Sequence, residues 1–295
     1  MTILFTLSDN DDLVSRIASQ LNAKVGRINH RLFPDGETYL QVLDDVAEQD
    51  IIIVNDLHQP NSKTVELILL SHTLKSLGAV SVGLVAPYLA YMRQDKVFHP
   101  GEGISSHYYA QLLSDHFDWL VTVDPHLHRI DSLSDIYHIP AHTLHATVPV
   151  ANWIVQNVEK PLLIGPDSES EQWVKAIGQH ANIDFEVLTK VRHGDHDVEV
   201  SVPNIEAYLN HTPVLVDDII STGRTMIETA NHLEKAGLKA PVCVAVHAVF
   251  APNAIEQMTA SHIGRVVSAN SIVHDSNAID LSELIADFIK SHYSS

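Results

Sequence analysis

PVLVDDIISTGRT, residues 213–225, decides the reading of the chain. An apolar run, PVLV, leads into two carboxylates, Asp217 and Asp218. After two further apolar residues comes a compact loop, Ser221-Thr222-Gly223-Arg224-Thr225, and then a helix-patterned segment, TMIETANHLEKAG. The order strand, acidic pair, hydroxyl- and glycine-containing loop, helix places backbone N–H groups and hydroxyls at a helix N-terminus. Such a terminus carries unpaired donors and a partial positive charge, which suits an anion. The neighbouring carboxylates repel phosphate and suit sugar hydroxyls or a cation. The stretch therefore points to a sugar phosphate. Thr225 and Glu228 also fit a capping box, which is compatible with anion binding at the same terminus.

Working outward, the same pattern occurs earlier. IIIVNDLHQPNSKTVELILLSHTLKSLGAVSVGLVAPY lies over PVLVDDIISTGRTMIETANHLEKAGLKAPVCVAVHAVF, with Asn55-Asp56 on Asp217-Asp218 and Leu74–Gly78 on Leu233–Gly237. The first copy has a longer loop without the Thr-Gly pair. Strands alternate with helical patterns throughout, the sign of a parallel α/β architecture. The expected organisation is residues 1–145, residues 146–280 carrying the complete loop, and a C-terminal amphipathic helix over 281–295 that packs back on the first domain. The boundary is expected at the weakly patterned IPAHTLHATVP. FEVLTKVRHGDHDVEVSV reads as a β-hairpin with a polar tip. Ser168 with Glu171, and Asp280 with Glu283, read as helix caps.

The chain has 295 residues and a formal net charge of −19, from 18 basic and 37 acidic residues. That balance argues against wrapping nucleic acid, which needs a basic face. One cysteine, Cys243 in VCVAV, excludes a disulfide within the chain and reads as a core residue. No stretch reaches the roughly 20 apolar residues of a membrane span, and MTILFTLSDN reads as a first strand, not a signal peptide. A cytoplasmic protein is expected.

The stretch 213–225 resembles the phosphoribosyl-diphosphate (PRPP) loop of the type I phosphoribosyltransferase fold. The tandem arrangement resembles the ribose-phosphate diphosphokinase, or PRPP synthetase, family. Other segments agree along nearly the whole chain and in the right order. Phe33-Pro34-Asp35-Gly36-Glu37 looks like the family's FxDGE element, and Pro87-Tyr88 with Arg93-Gln94-Asp95 looks like its PYxxYxRQD element. Asp124-Pro125-His126 looks like DLH, Pro166-Asp167 like the opening of PDxGG, and Lys190-Val191-Arg192 like the KxR of the catalytic loop.

The resemblance implies an α/β fold of two tandem phosphoribosyltransferase-like domains, each a mainly parallel sheet flanked by helices. It implies transfer of the β,γ-diphosphoryl group of ATP to the C1 hydroxyl of ribose 5-phosphate, giving PRPP and AMP, with Mg2+. Lys190 and Arg192 would be catalytic. Phe33, Asp35, Gly36, Glu37, Arg93, Gln94 and Asp95 would bind ATP. Asp217, Asp218, Ser221, Thr222, Gly223, Arg224 and Thr225 would bind ribose 5-phosphate, and His126 and Asp167, with Asp124 as a further ligand, would hold the metal. Relatives form dimers or hexamers of dimers, so a homodimer or hexamer is expected, with ATP and ribose 5-phosphate as partners and neither nucleic acid nor membrane.

Blander readings stand beside these. Phe33 could be a packed aromatic, Arg93 and Asp95 a surface ion pair, Lys190 and Arg192 a solvated strand face. His126-Leu127-His128 could suggest zinc, but it lacks a supporting cysteine. At the level of the whole protein, the alternatives are a non-catalytic regulatory relative and a PRPP-using transferase. The tandem repeat with FPDGE and RQD argues against the second. Departures from the family pattern are PDSES for PDxGG, DPHLHRIDSL for DLHAxQIQGFF, and Ser221 and Arg224 in the PRPP loop.

Overall fold

The computed structural model describes residues 2–166, 170–192, 198–201 and 205–293, with backbone only for 189–192, 198–201 and 205–206. The chain divides into two compact units, Met1–His145 with Leu281–Ser295, and Ala146–Asp280.

The first unit begins with β1 (Thr2–Phe5), α1 (Asp11–Leu21) and β2 (Lys24–Val25). It continues through a hairpin, β3 (Ile28–Leu32) and β4 (Thr38–Val42), then β5 (Asp50–Val54), α2 (Pro60–Ser76), β6 (Ser81–Ala86), α3 (Ser105–Ser114), β7 (Trp119–Val123) and β8 (Ala141–Leu144). Six strands form one parallel sheet in the order β2-β1-β5-β6-β7-β8, and β3 pairs antiparallel with β4 alone. The central runs IIIV and LVTV are buried on both faces, as helix-covered parallel strands require. In α2, Leu67, Leu70 and Leu74 form the buried stripe.

The second unit runs α4 (Thr147–Asn157), β9 (Pro161–Gly165), α5 (Glu171–Ala181), β10 (Phe185–Val187), β11 (Thr189–Arg192), β12 (Val198–Ser201), β13 (Thr212–Ile220), α6 (Arg224–Lys235), β14 (Val242–Ala248), α7 (Ala254–Thr259), β15 (Arg265–Ala269) and β16 (Asn277–Ile279). Its parallel sheet has the order β10-β9-β13-β14-β15-β16, with β11 and β12 a separate antiparallel pair. The two sheets have the same topology strand for strand. In each unit a hairpin leaves the chain between the second and third sheet strands and returns. The repeat seen in the sequence over one β-α-β segment thus extends to the whole unit.

The last helix, α8 (Ser282–Tyr293), belongs to the first unit and buries Ile285, Ala286 and Ile289. Gln20 of α1 donates to the Ser282 hydroxyl at 3.1 Å. Tyr293 stacks on Trp119 at 4.0 Å and 14°. Trp119 lies so close over β6 that a Cβ on Gly83 would sit 1.9 Å from its ring, so this close approach demands glycine.

The segment 140–149 holds β8 and the start of α4, and the chain passes from the first unit to the second between His145 and Ala146. FEV is a strand of the main sheet, and the hairpin is β11 with β12. Its polar tip and Ser168 lie outside the described residues. Asp280 accepts a hydrogen bond from Asn270 Nδ2 at 2.9 Å. Cys243 is fully buried, and burial pushes its thiol well above the ordinary range.

Candidate functional site

At the expected sugar-phosphate site, β13 does not stop at the acids. It runs on through Asp217 and Asp218 to Ile220, paired with β14 as far as Ala248. Asp218 is 7% exposed, and Asp217 is partly exposed. Each carboxylate accepts the N–H of the next residue: Asp218 N to Asp217 Oδ1 at 3.0 Å and Ile219 N to Asp218 Oδ1 at 2.7 Å. These bonds fix the side chains against the strand end.

The loop that follows is short and anchored. Ser221 accepts a backbone bond from Ala251 at 3.0 Å. Gly223 is the N-cap of α6 with φ +70, and a Cβ there would meet Met258 Cγ and Sδ at 2.7 Å. Both the left-handed conformation and the packing disfavour a side chain. Helix α6 begins at Arg224, so Thr225 lies inside its first turn, and no side chain caps it. The expected Thr225–Glu228 box is therefore not formed: the glycine lets the chain enter the helix two residues earlier. The exposed Thr222 hydroxyl accepts weakly from Arg224 N at 3.5 Å. The result is a helix start with open donors, beside two positioned carboxylates.

The equivalent position in the first unit is built differently. Asn55 and Asp56 follow β5, both buried, and Lys63 of α2 lies with Nζ 2.7 Å from Asp56 Oδ1. His58 N also donates to Asp56 Oδ1, at 3.0 Å. This copy supplies its acid with an internal counter-cation.

The residues expected to bind ATP lie in the first unit. Phe33 to Glu37 form the exposed tip of the β3–β4 hairpin, closed by Phe33 N to Glu37 O at 2.7 Å and Gly36 N to Phe33 O at 2.9 Å. Phe33 is 38% exposed, so it is not a core aromatic. The Arg31 guanidinium lies 4.6 Å over its ring and 4.5 Å over Tyr39. At the hairpin base, Asp44 binds Lys24 Nζ at 2.5 Å and Arg27 N at 2.7 Å. The Arg27 guanidinium, then Lys24, hold its carboxyl well below the usual range.

Arg93 is exposed. Asp95 does not pair with it; Arg129 takes that place. Gln94 accepts from the Ser105 hydroxyl at 2.8 Å, at the start of α3.

Beyond β7 the backbone turns sharply, with φ 39 at Asp124 and φ 55 at His126, and His126 N donates to Asp124 O at 2.9 Å. Left-handed non-glycine residues cluster at functional sites. The Asp124 side chain is fully buried and accepts from His145 Nδ1 at 2.8 Å, a bond that raises the His145 pKa. His126 Nε2 lies 2.9 Å from His128 Nε2. No group of three or more His, Cys, Asp or Glu side chains suited to a metal assembles among the described residues. Asp167 lies outside them. Lys190 and Arg192 lie on β11, opposite Val200 and Val198 in the ladder.

Sequence reasoning missed Arg129, His145 and Lys63. Their partners lie 34, 21 and 7 residues away, and only the fold brings the first two into reach.

The N-terminal domain of ribose phosphate pyrophosphokinase matches residues 2–116, and the phosphoribosyl transferase domain matches residues 133–282. A ribose-phosphate pyrophosphokinase of Sulfurisphaera tokodaii is 32% identical over 284 residues, covering 94% of this chain and 95% of the relative. The chain belongs to the ribose-phosphate pyrophosphokinase family. Another member, from Methanobrevibacter smithii, is 29% identical over 295 residues, 96% of this chain and 98% of its own. The fold is that of the phosphoribosylpyrophosphate synthetase of Mycobacterium smegmatis, with a TM-score of 0.85 at 22% identity over 98% of both chains. As in that fold, both units here are α/β with parallel sheets. Among the described residues, no helix is long and apolar enough to cross a membrane.

Proposed function

We propose that this chain is a ribose-phosphate diphosphokinase, an ATP:ribose-5-phosphate diphosphotransferase. The observation that carries the reading is the loop of Ser221 to Thr225, set at the start of α6 beside Asp217 and Asp218. It holds a phosphate with backbone donors and hydroxyls while the two carboxylates take the ribose hydroxyls. Arg224 adds an exposed cation at the same helix start.

On the nucleotide side, Phe33 offers an exposed aromatic face to adenine, and Asp35, Gly36 and Glu37 line the same hairpin tip. Arg93 and Gln94 serve the phosphates, and Asp95 holds the loop beyond β7. The C1 hydroxyl oxygen of ribose 5-phosphate attacks the β-phosphorus of ATP and gives up its proton to solvent. The bond from that phosphorus to the oxygen bridging to the α-phosphate breaks, and AMP leaves with that oxygen. Lys190 and Arg192 neutralise charge on the transferring group, whose reaction depends mainly on positioning and electrostatics.

A magnesium ion carried on the nucleotide would take most of its coordination from water and phosphate oxygens, so one or two protein ligands suffice. His126, on the loop beyond β7, is the expected ligand that the described residues offer, and the bound ion would supply charge neutralisation on the diphosphate. The buried Asp124 carboxylate, engaged by His145, is assigned to holding the turn. The exposed Leu32, at 57%, supports a homodimer or hexamer in which a second copy packs beside the hairpin and leaves the Phe33 face to the nucleotide.

The test is incubation with ATP, Mg2+ and ribose 5-phosphate, followed by phosphorus NMR. AMP and PRPP are expected in equal amounts. Nucleotide binding without AMP formation would sink the proposal and favour a regulatory role.

A further inference from the structure

We infer that Arg31 is a positioning residue for the nucleotide base, acting through Phe33: its guanidinium backs one face of the Phe33 ring and leaves the other face presented for stacking. The inference rests on the reading of Phe33 as the adenine-facing aromatic, and it names the group that holds that ring in place.

The ring needs such support. Phe33 lies beyond Leu32 and Thr38, the last pair of the β3–β4 ladder, and it belongs to no packed core among the described residues. The hairpin beneath it is anchored on one face. Ile28, Leu40 and Val42 pack on the core of the first unit, His30 Nε2 lies 3.1 Å from Glu66 Oε1 of α2, and the Thr38 hydroxyl donates to the same oxygen at 3.3 Å. Strand alternation puts Arg31 and Tyr39 on the opposite face, directly across the ladder from each other. The Arg31 guanidinium carbon lies 4.5 Å from the Tyr39 ring centre and 4.6 Å from that of Phe33, and the two rings meet at 87° with centres 5.9 Å apart. The cation thus fills the corner between two perpendicular rings. Among the described residues it pairs with no carboxylate, so its contact is with the rings. A cation over an aromatic face is attracted by the ring's quadrupole, and a guanidinium stacks there as a plane. A ring held in this way loses less freedom when a base stacks on its open side, so the ordering cost of binding falls.

The test is a double-mutant cycle read by calorimetric titration of ATP with Mg2+ into the full chain, with circular dichroism to check each fold. Arg31→Met keeps an unbranched stem and removes the cation. Phe33→Leu keeps an apolar side chain and removes the ring. Arg31→Met is expected to weaken ATP binding roughly 3- to 10-fold, the size that exposed cation–aromatic contacts support. Arg31→Lys, which retains a cation, should fall between it and the wild type. In the Phe33→Leu background, Arg31→Met should change ATP binding by less than about 2-fold, because the residue acts through the ring. Unaltered or tighter ATP binding by Arg31→Met, or an equal loss with and without the ring, overturns the inference. The single Phe33→Leu variant judges the underlying reading separately. Weaker ATP binding supports Phe33 as the adenine face, and unaltered binding removes both Phe33 and Arg31 from the nucleotide site.

Discussion

Asp95 and Arg129 form a two-oxygen ion pair across 34 residues, with Nη1 3.0 Å from Oδ1 and 3.1 Å from Oδ2. The pair ties the RQD element to the loop that carries His126. The Asp95 side chain is 4% exposed. Arg129→Ala is expected to cost about 1–3 kcal/mol in urea denaturation by leaving a buried acceptor unpaired. Asp95→Asn in the same background should recover part of that loss. Equal stability of wild type and Arg129→Ala would show that the pair contributes nothing.

Gly223→Ala should be costly at the sugar-phosphate loop. The left-handed backbone alone costs roughly 1–2 kcal/mol for a residue with a Cβ. The Met258 contact adds to it, since the Cβ would lie 2.7 Å from Cγ and Sδ. Adding Met258→Ala relieves the contact but not the strain. Steady-state kinetics should show a raised KM for ribose 5-phosphate that the second substitution only partly reverses. An unchanged KM would remove this loop from the binding site.

Lys190→Ala should lower kcat by about 100- to 1,000-fold, as loss of one charge-stabilising donor does, with the thermal midpoint unchanged. Near-normal turnover would return Lys190 to a solvated strand face.

The base of the β3–β4 hairpin should loosen in acid. Hydrogen bonds from Arg27 and Lys24 depress the folded pKa of Asp44 below its unfolded value. Its contribution is present above the unfolded pKa, near 3.9, and is lost as pH falls through the lower folded value. Stability measured from pH 5 downward should therefore fall less steeply in Asp44→Asn than in the wild type. Parallel curves would contradict this.

The strongly patterned parts of the fold are legible in the sequence. Buried strands such as IIIV and the β13–α6 unit announce themselves by apolar runs ending in small and acidic residues. The stretch 140–149 does not, because three of the four residues of β8 are only partly buried and α4 opens with Thr147, Val148 and Pro149. The strand through Asp217 and Asp218 also ran longer than its apolar run, since sheet pairing with β14 tolerates acids at the strand's end. At the site, linear motifs mark the candidate ligand-binding residues. They are silent about the supporting contacts, Asp95 to Arg129 and Asp124 to His145, which exist only once β7, β8 and their loops are assembled.

The two hairpins hold the same place in their units, and neither joins the six-stranded sheet. Scaffold and excursion are thus separate in their pairing: among the described residues, the hairpin strands bond to each other and the six-stranded ladders are complete without them. A graft of residues 28–42 or 189–201 between members of such a family exchanges chemistry at a point where the sheet has nothing to lose.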